Sequence, residues 1–210
     1  MSYHKVLLSA AVGLCGLLAA SAAVACQGKT VILEDKFKDD SGGWDTDPTI
    51  SFQNSAMTVR MAAEQSSFRD LNLVFLVREA DICVDATFPA TTDNDPGVGI
   101  IFWAPDYKAF YLFMVFISGK VGIHRFADNN FVTVHSQPMA EVKKGPGATN
   151  QLRVTLKGNL VTMYVNGTKY RDQRSPPPTK DSMFGLYAQF DKVTPGQTFL
   201  FTNLKVTSVD

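Results

Sequence analysis

Few residues in this sequence carry obvious chemistry, and the first to notice are Glu79 and Asp81 in the stretch "EADICVDATF". Two positions apart on an extended strand, their carboxylates point to the same side. A pair of carboxylates about 5 Å apart across a glycosidic bond can serve as nucleophile and general acid, so this face is the natural place to look for hydrolysis. His124 and His135 stand singly, with no Ser or Cys at a spacing that proposes a triad. No group of His and Cys has zinc spacing. "TTDNDPG" offers Asp93, Asn94 and Asp95, and "FADNNF" offers Asp128, as oxygen ligands for calcium. Asx-rich turns form for their own hydrogen-bonding reasons, so no cofactor or metal is expected, with calcium as the alternative. Asn166-Gly167-Thr168 reads as a hairpin turn before it reads as a glycosylation sequon.

The cysteines speak about compartment. Residues 1–25, "MSYHKVLLSAAVGLCGLLAASAAVA", have a basic start at Lys5, an apolar run from Val6 to Ala20 and a small-residue ending at Ala23-Val24-Ala25, which predicts a cleaved signal peptide. The apolar run is too short to span a bilayer, and no later segment is longer. The expected mature chain, residues 26–210, then starts at Cys26, with Cys83 its only other cysteine. In an oxidising compartment those two are expected to pair. The alternative, acylation of Cys26 as a lipoprotein, is disfavoured by Ala23 where a larger aliphatic residue is usual.

The whole chain has 210 residues, 45% hydrophobic and 19% charged, an ordinary globular composition expected to form one domain. Loss of Lys5 leaves 19 basic against 20 acidic residues, too balanced for a nucleic-acid binder. Apolar residues recur at every second position, and turn residues interrupt at short intervals. Ile82, Val84, Ala86 and Phe88 share one face, with Asp81, Cys83, Asp85 and Thr87 on the other. "QLRVTLKGNLVTMYVNGTKY" reads as two successive hairpins, the second turning at Asn166-Gly167. The prediction is all-β: two packed antiparallel sheets, with "RSPPPTK" from Arg174 to Lys180 as an extended connection.

The order of "LEDKFKDDSGGW", "GVGIIFW", "FYLFMV", "GKVGIHRF", the two hairpins, "MFGLYAQF" and "FTNLKVTSV" resembles the concanavalin A-like, laminin-G-like jelly rolls of secreted bacterial proteins. That superfamily includes carbohydrate-binding modules, glucanases and the keto-disaccharide hydrolase group. The resemblance implies a β-sandwich whose concave sheet bears a ligand groove on its outward face. Its retaining glucanases carry Glu-x-Asp-x-Glu or Glu-x-Asp-x-x-Glu on one strand. Here Glu79 and Asp81 begin that pattern, but Cys83 or Val84 occupies the acid position, which breaks it.

Within this frame the seven apolar residues "FYLFMVF", Phe110 to Phe116, become informative. With Tyr111, Phe113 and Val115 in the core, Phe110, Leu112, Met114 and Phe116 must face the other way. The same alternation sends Ile101 and Trp103 outward and keeps Ile100 and Phe102 inside. An apolar patch of this size suits a ligand or a covering segment. The expected ligand-binding set is Trp103, Ile101, Leu112, Met114 and Phe116, with Asp81, Asp85, His124, Arg153, Tyr187 and Gln189 as polar partners and Arg78 a further polar candidate. Together these readings point to a secreted or periplasmic module that binds carbohydrate, or another small ligand with an apolar face, without catalysis. The alternatives are a hydrolase similar to the keto-disaccharide group and a protein-interaction module using the apolar face.

Overall fold

The computed structural model describes residues 26–45 and 47–209, and the predicted signal segment lies outside the described residues. In chain order the strands are β1 (Val31–Asp35), β2 (Ile50–Gln53), β3 (Ala56–Arg60), β4 (Ser67–Leu71), β5 (Ala80–Thr87), β6 (Gly97–Asp106) and β7 (Ala109–Phe116). They continue as β8 (Lys120–Ala127), β9 (Asn130–Pro138), β10 (Thr149–Lys157), β11 (Leu160–Val165), β12 (Thr168–Arg174), β13 (Met183–Gln189) and β14 (Thr198–Thr207). Helix among the described residues is confined to one 3₁₀ turn, Asp40–Gly42.

The strands form two antiparallel sheets, as the alternation predicts. One runs β12-β11-β10-β5-β14-β3-β2, with β1 also paired to β14, and the other runs β4-β13-β6-β7-β8-β9. The β11–β12 turn is where the sequence places it, because Asn166 and Gly167 both adopt positive φ, 50° and 84°, as a two-residue hairpin loop of matching twist requires. The connection containing Pro176 to Pro178 carries the chain from β12 in one sheet to β13 in the other.

The core lies between the sheets. Ile82, Val84, Ala86 and Phe88 of β5 meet Ile100 and Phe102 of β6 and Phe113 and Val115 of β7 in one buried cluster. Cys26 and Cys83 are joined in a disulfide with Cα atoms 5.7 Å apart, which ties the N-terminal segment to β5. Among the described residues no helix is long and apolar enough to cross a membrane.

Candidate ligand-binding face

The even-numbered residues of β7 do leave the core, and together with Leu71, Ile101, Ala104 and Tyr187 they form a second buried cluster on the outer face of the six-stranded sheet. Ile101, Leu112 and Met114 are fully buried there. Glycines make this possible. In register, Met114 lies opposite Gly99 on β6 and Gly122 on β8, and Phe116 lies opposite Gly97. Where a glycine leaves no side chain, its neighbour lies down against the sheet. A Cβ built on Gly97 would sit 2.8 Å from Met114 Cε, and one on Gly99 would sit 2.9 Å from Leu112 Cδ1.

Above this floor stand aromatic rings and cations. Phe110 and Phe126 stack 5.1 Å apart at 17°, and the Arg69 guanidinium lies 5.9 Å from the first ring and 5.2 Å from the second. Lys120 Nζ sits 5.3 Å from the Phe116 ring. Phe131, from edge strand β9, stacks 4.8 Å from His124 at 24° and remains 44% exposed. His124 Nδ1 pairs with Thr133 Oγ1 at 3.1 Å, whereas its buried Nε2 has no partner. Burial, helped by the charge of Lys120, holds His124 down to about 4, so the ring is neutral at pH 7. Burial likewise pushes the Tyr187 phenol up. Gln189 lies half-buried on the same face, opposite Gly97.

The outer face therefore gathers Ile101, Leu112, Met114, Phe116, His124, Tyr187 and Gln189, but other expected members are elsewhere. Trp103 is the main correction. It adopts φ of 52° inside a bulge between the Phe102–Tyr111 and Asp106–Ala109 pairs, which breaks the alternation and turns its ring back into the main core, 3% exposed. There its Nε1 donates to Arg78 O at 3.0 Å, and its ring meets Phe102 and Tyr111 edge-on. Pro105, two residues on, was the available signal, since proline inside a strand run marks a bulge or an edge.

Asp81, Asp85 and Arg153 lie on the other sheet, on β5 and β10. Arg153 Nε donates to Asp81 Oδ1 at 2.7 Å, with side-chain exposures of 8% and 3%. Asp81 also accepts from Gln27 N at 2.8 Å and Thr155 Oγ1 at 3.2 Å, while Asp85 accepts from Asn203 Nδ2 at 2.9 Å. These contacts bind the N-terminal segment and β14 to the sheet. Glu79, which leads into β5, accepts from Gly158 N in the β10–β11 turn at 2.9 Å. In contrast, Arg69, Phe126 and Phe131 belong to the outer face and were missed, because only strand pairing places them beside β7.

Of the loop residues weighed for calcium, Asp95 accepts from Ser118 N at 3.0 Å and Asn94 Nδ2 donates to Thr194 Oγ1 at 2.9 Å. Among the described residues the one group of three side chains close enough to share a metal is Cys26, Asp81 and Cys83, whose sulfurs the disulfide already engages.

No protein-family model matches this sequence, and no curated protein matches it. Solved structures do. The carbohydrate-binding module CBM66 from Bacillus subtilis superposes with a TM-score of 0.61 at 17% identity, covering 80% of this chain and 98% of its own. A Bacillus subtilis protein of unknown function with a galectin-like fold gives 0.68 at 9% identity, covering 87% and 98%. The β-glucanase of Bacillus licheniformis gives 0.63 at 9% identity, covering 85% and 98%.

The fold is the concanavalin A-like jelly roll.

At these identities the likeness extends to the architecture, and the chemistry of the face has to be argued from its own residues. A disulfide in such a sandwich fits an extracellular setting.

Proposed function

We propose that this jelly roll is an exported carbohydrate-binding module that does not cleave its ligand, and that it binds on the outer face of the six-stranded sheet. The observation that carries the reading is Phe131, an exposed ring held parallel to the buried His124 and flanked by the Phe110–Phe126 stack with its bridging Arg69. An aromatic surface fixed before the ligand arrives offers a stacking platform for the C–H face of a sugar at little entropic cost. Arg69, over the Phe110 and Phe126 rings, supplies hydrogen-bonding groups at its border. The likeness to CBM66 supports the ligand class.

Binding without hydrolysis is favoured by register. On this face β4 presents Ser67, Arg69 and Leu71, β13 presents Gly185, Tyr187 and Gln189, and β8 presents Gly122, His124 and Phe126. None is acidic, nor are the outward residues of β6 and β7, so a carboxylate pair has no strand position there.

A glycan array, followed by pull-down on the polysaccharides that score, tests the proposal. Phe131→Ala should abolish retention with the melting temperature nearly unchanged, and retention equal to that of the parent protein would refute the site. Release of reducing ends from a bound glycan on prolonged incubation would turn the reading to a hydrolase. A second reading, docking of a protein, is favoured by Leu73, Val74 and Leu76, which are 49%, 65% and 50% exposed on the β4–β5 connection. A silent array together with loss of a partner on Val74→Asp would support it.

A further inference from the structure

A cavity of about 390 Å³ opens beside the β6–β7 and β8 strand ends, lined by Trp103, Tyr111, Arg125, the Phe110–Phe126 pair and the proline run Pro176 to Pro178. Its volume falls at the lower end of small-molecule sites. Tyr111 and Arg125 are directly paired across β7 and β8, so their side chains leave the sheet on the same side. The Tyr111 ring is fixed from two directions, stacked on Phe102 at 5.7 Å and edge-on to Trp103 at 5.9 Å. Among the described residues neither the Tyr111 hydroxyl nor the Arg125 guanidinium makes a hydrogen bond or ion pair, and the cavity lining contains no Asp or Glu. Two donors, one of them a permanent cation, thus face an apolar space whose proline wall brings no donors of its own.

We propose that this cavity binds a carboxylate carried on a single ring. The planar guanidinium takes both carboxylate oxygens, the phenol hydroxyl donates a third hydrogen bond, and the ring lies between the aromatic side chains and the prolines. A phosphate fits less well, since no second cation lines the space to match its further charge. Uronic acids and aromatic acids share the required chemistry. The cavity borders the outer-face stack through Phe110 and Phe126, but its key groups, Tyr111 and Arg125, project from the opposite side of the sheet, so the two readings can be tested separately.

The test titrates the purified protein with galacturonate and with cinnamate, each against its methyl ester, following the indole Nε1–H resonance of Trp103. Saturable binding of an acid, with the ester weaker by at least about tenfold, supports the proposal, and the acid that binds names the source. R125Q should weaken the acid by about tenfold or more at an unchanged melting temperature, with R125K retaining part of the affinity. Y111F should lose a few-fold, and Phe131→Ala should leave acid binding intact. Ester and acid binding alike, R125Q binding like the parent protein, or no saturable shift with either acid at millimolar concentration would overturn it.

Discussion

Replacing Met114 by Ala asks whether the outer face of a sheet can be as much a core as the space between sheets. Met114 is fully buried although it points away from the main core, because Gly99 and Gly122 flank it on both neighbouring strands and let its side chain lie flat beneath the aromatic layer. Truncation removes three heavy atoms from a hollow that the glycines cannot refill. Buried Met→Ala changes cost about 2–5 kcal/mol. Poor capacity to collapse raises the cost here, a position on the outer face, one side-chain layer from solvent, lowers it, and the site belongs near the middle, about 3 kcal/mol. For a domain of this size that corresponds to a fall in Tm of roughly 6–12 °C. Phe113→Ala, on the same strand but facing the main core, is the internal reference at about 3–5 kcal/mol. Urea unfolding followed by far-UV circular dichroism, together with calorimetry, measures both. A loss for Met114→Ala within about 0.5 kcal/mol of the parent protein, the range of ordinary surface positions, would refute the reasoning.

Three further outcomes follow from other sites. Cys26 and Cys83, 57 residues apart, should both be unreactive to thiol reagents until reduced, and Cys83→Ser should lower stability by about 4 kcal/mol through freer unfolded chains; two free thiols in the unreduced protein would exclude the bridge. Arg153→Met strips the buried Asp81 of its cation and should cost about 3–5 kcal/mol in urea unfolding, whereas an effect near zero would mean that Gln27 and Thr155 suffice. Asp70 and His124 should pull the pH dependence of stability in opposite directions. Burial, then the charges of Asp45 and Asp47, raises Asp70 from 3.8 to about 7, so its contribution is present below about pH 4 and is lost as pH rises through 7. His124, lowered from 6.5 to about 4, loses its contribution as pH falls through that interval. Chemical denaturation across pH should be nearly flat between about 4 and 6.5 in the parent protein as far as these two groups decide, should rise with pH in Asp70→Asn and should fall with pH in His124→Gln; parallel curves for the two variants would sink the assignment.

The fold was legible because period-two alternation and turn chemistry are local properties. Ile82, Val84 and Ala86 could be assigned to the core from their spacing alone, and Asn166-Gly167 could be assigned to a hairpin from two residues. The facing of Trp103 was not, since one left-handed residue reverses every inference that counts along the strand beyond it. The polar set was divided between the sheets for a different reason. Asp81, Asp85 and Arg153 alternate as correctly as His124 and Tyr187 do, but alternation says only that a residue leaves the core, and a sandwich has two outer faces. Which face a strand serves is decided by sheet membership, a property of pairing between segments 60 or 70 positions apart, such as Asp81 with Thr155. The same limit hid the answer to the apolar run at Phe110 to Phe116. Gly97, Gly99 and Gly122 are plain in the sequence, but they become hollows for Met114 and Phe116 only once register sets them opposite. An apolar residue on an outer face therefore need not imply a covering element or an open groove. It can be buried by the absence of its neighbours' side chains, and the surface left for a ligand is then the second layer, where Phe126, Phe131 and Arg69 stand.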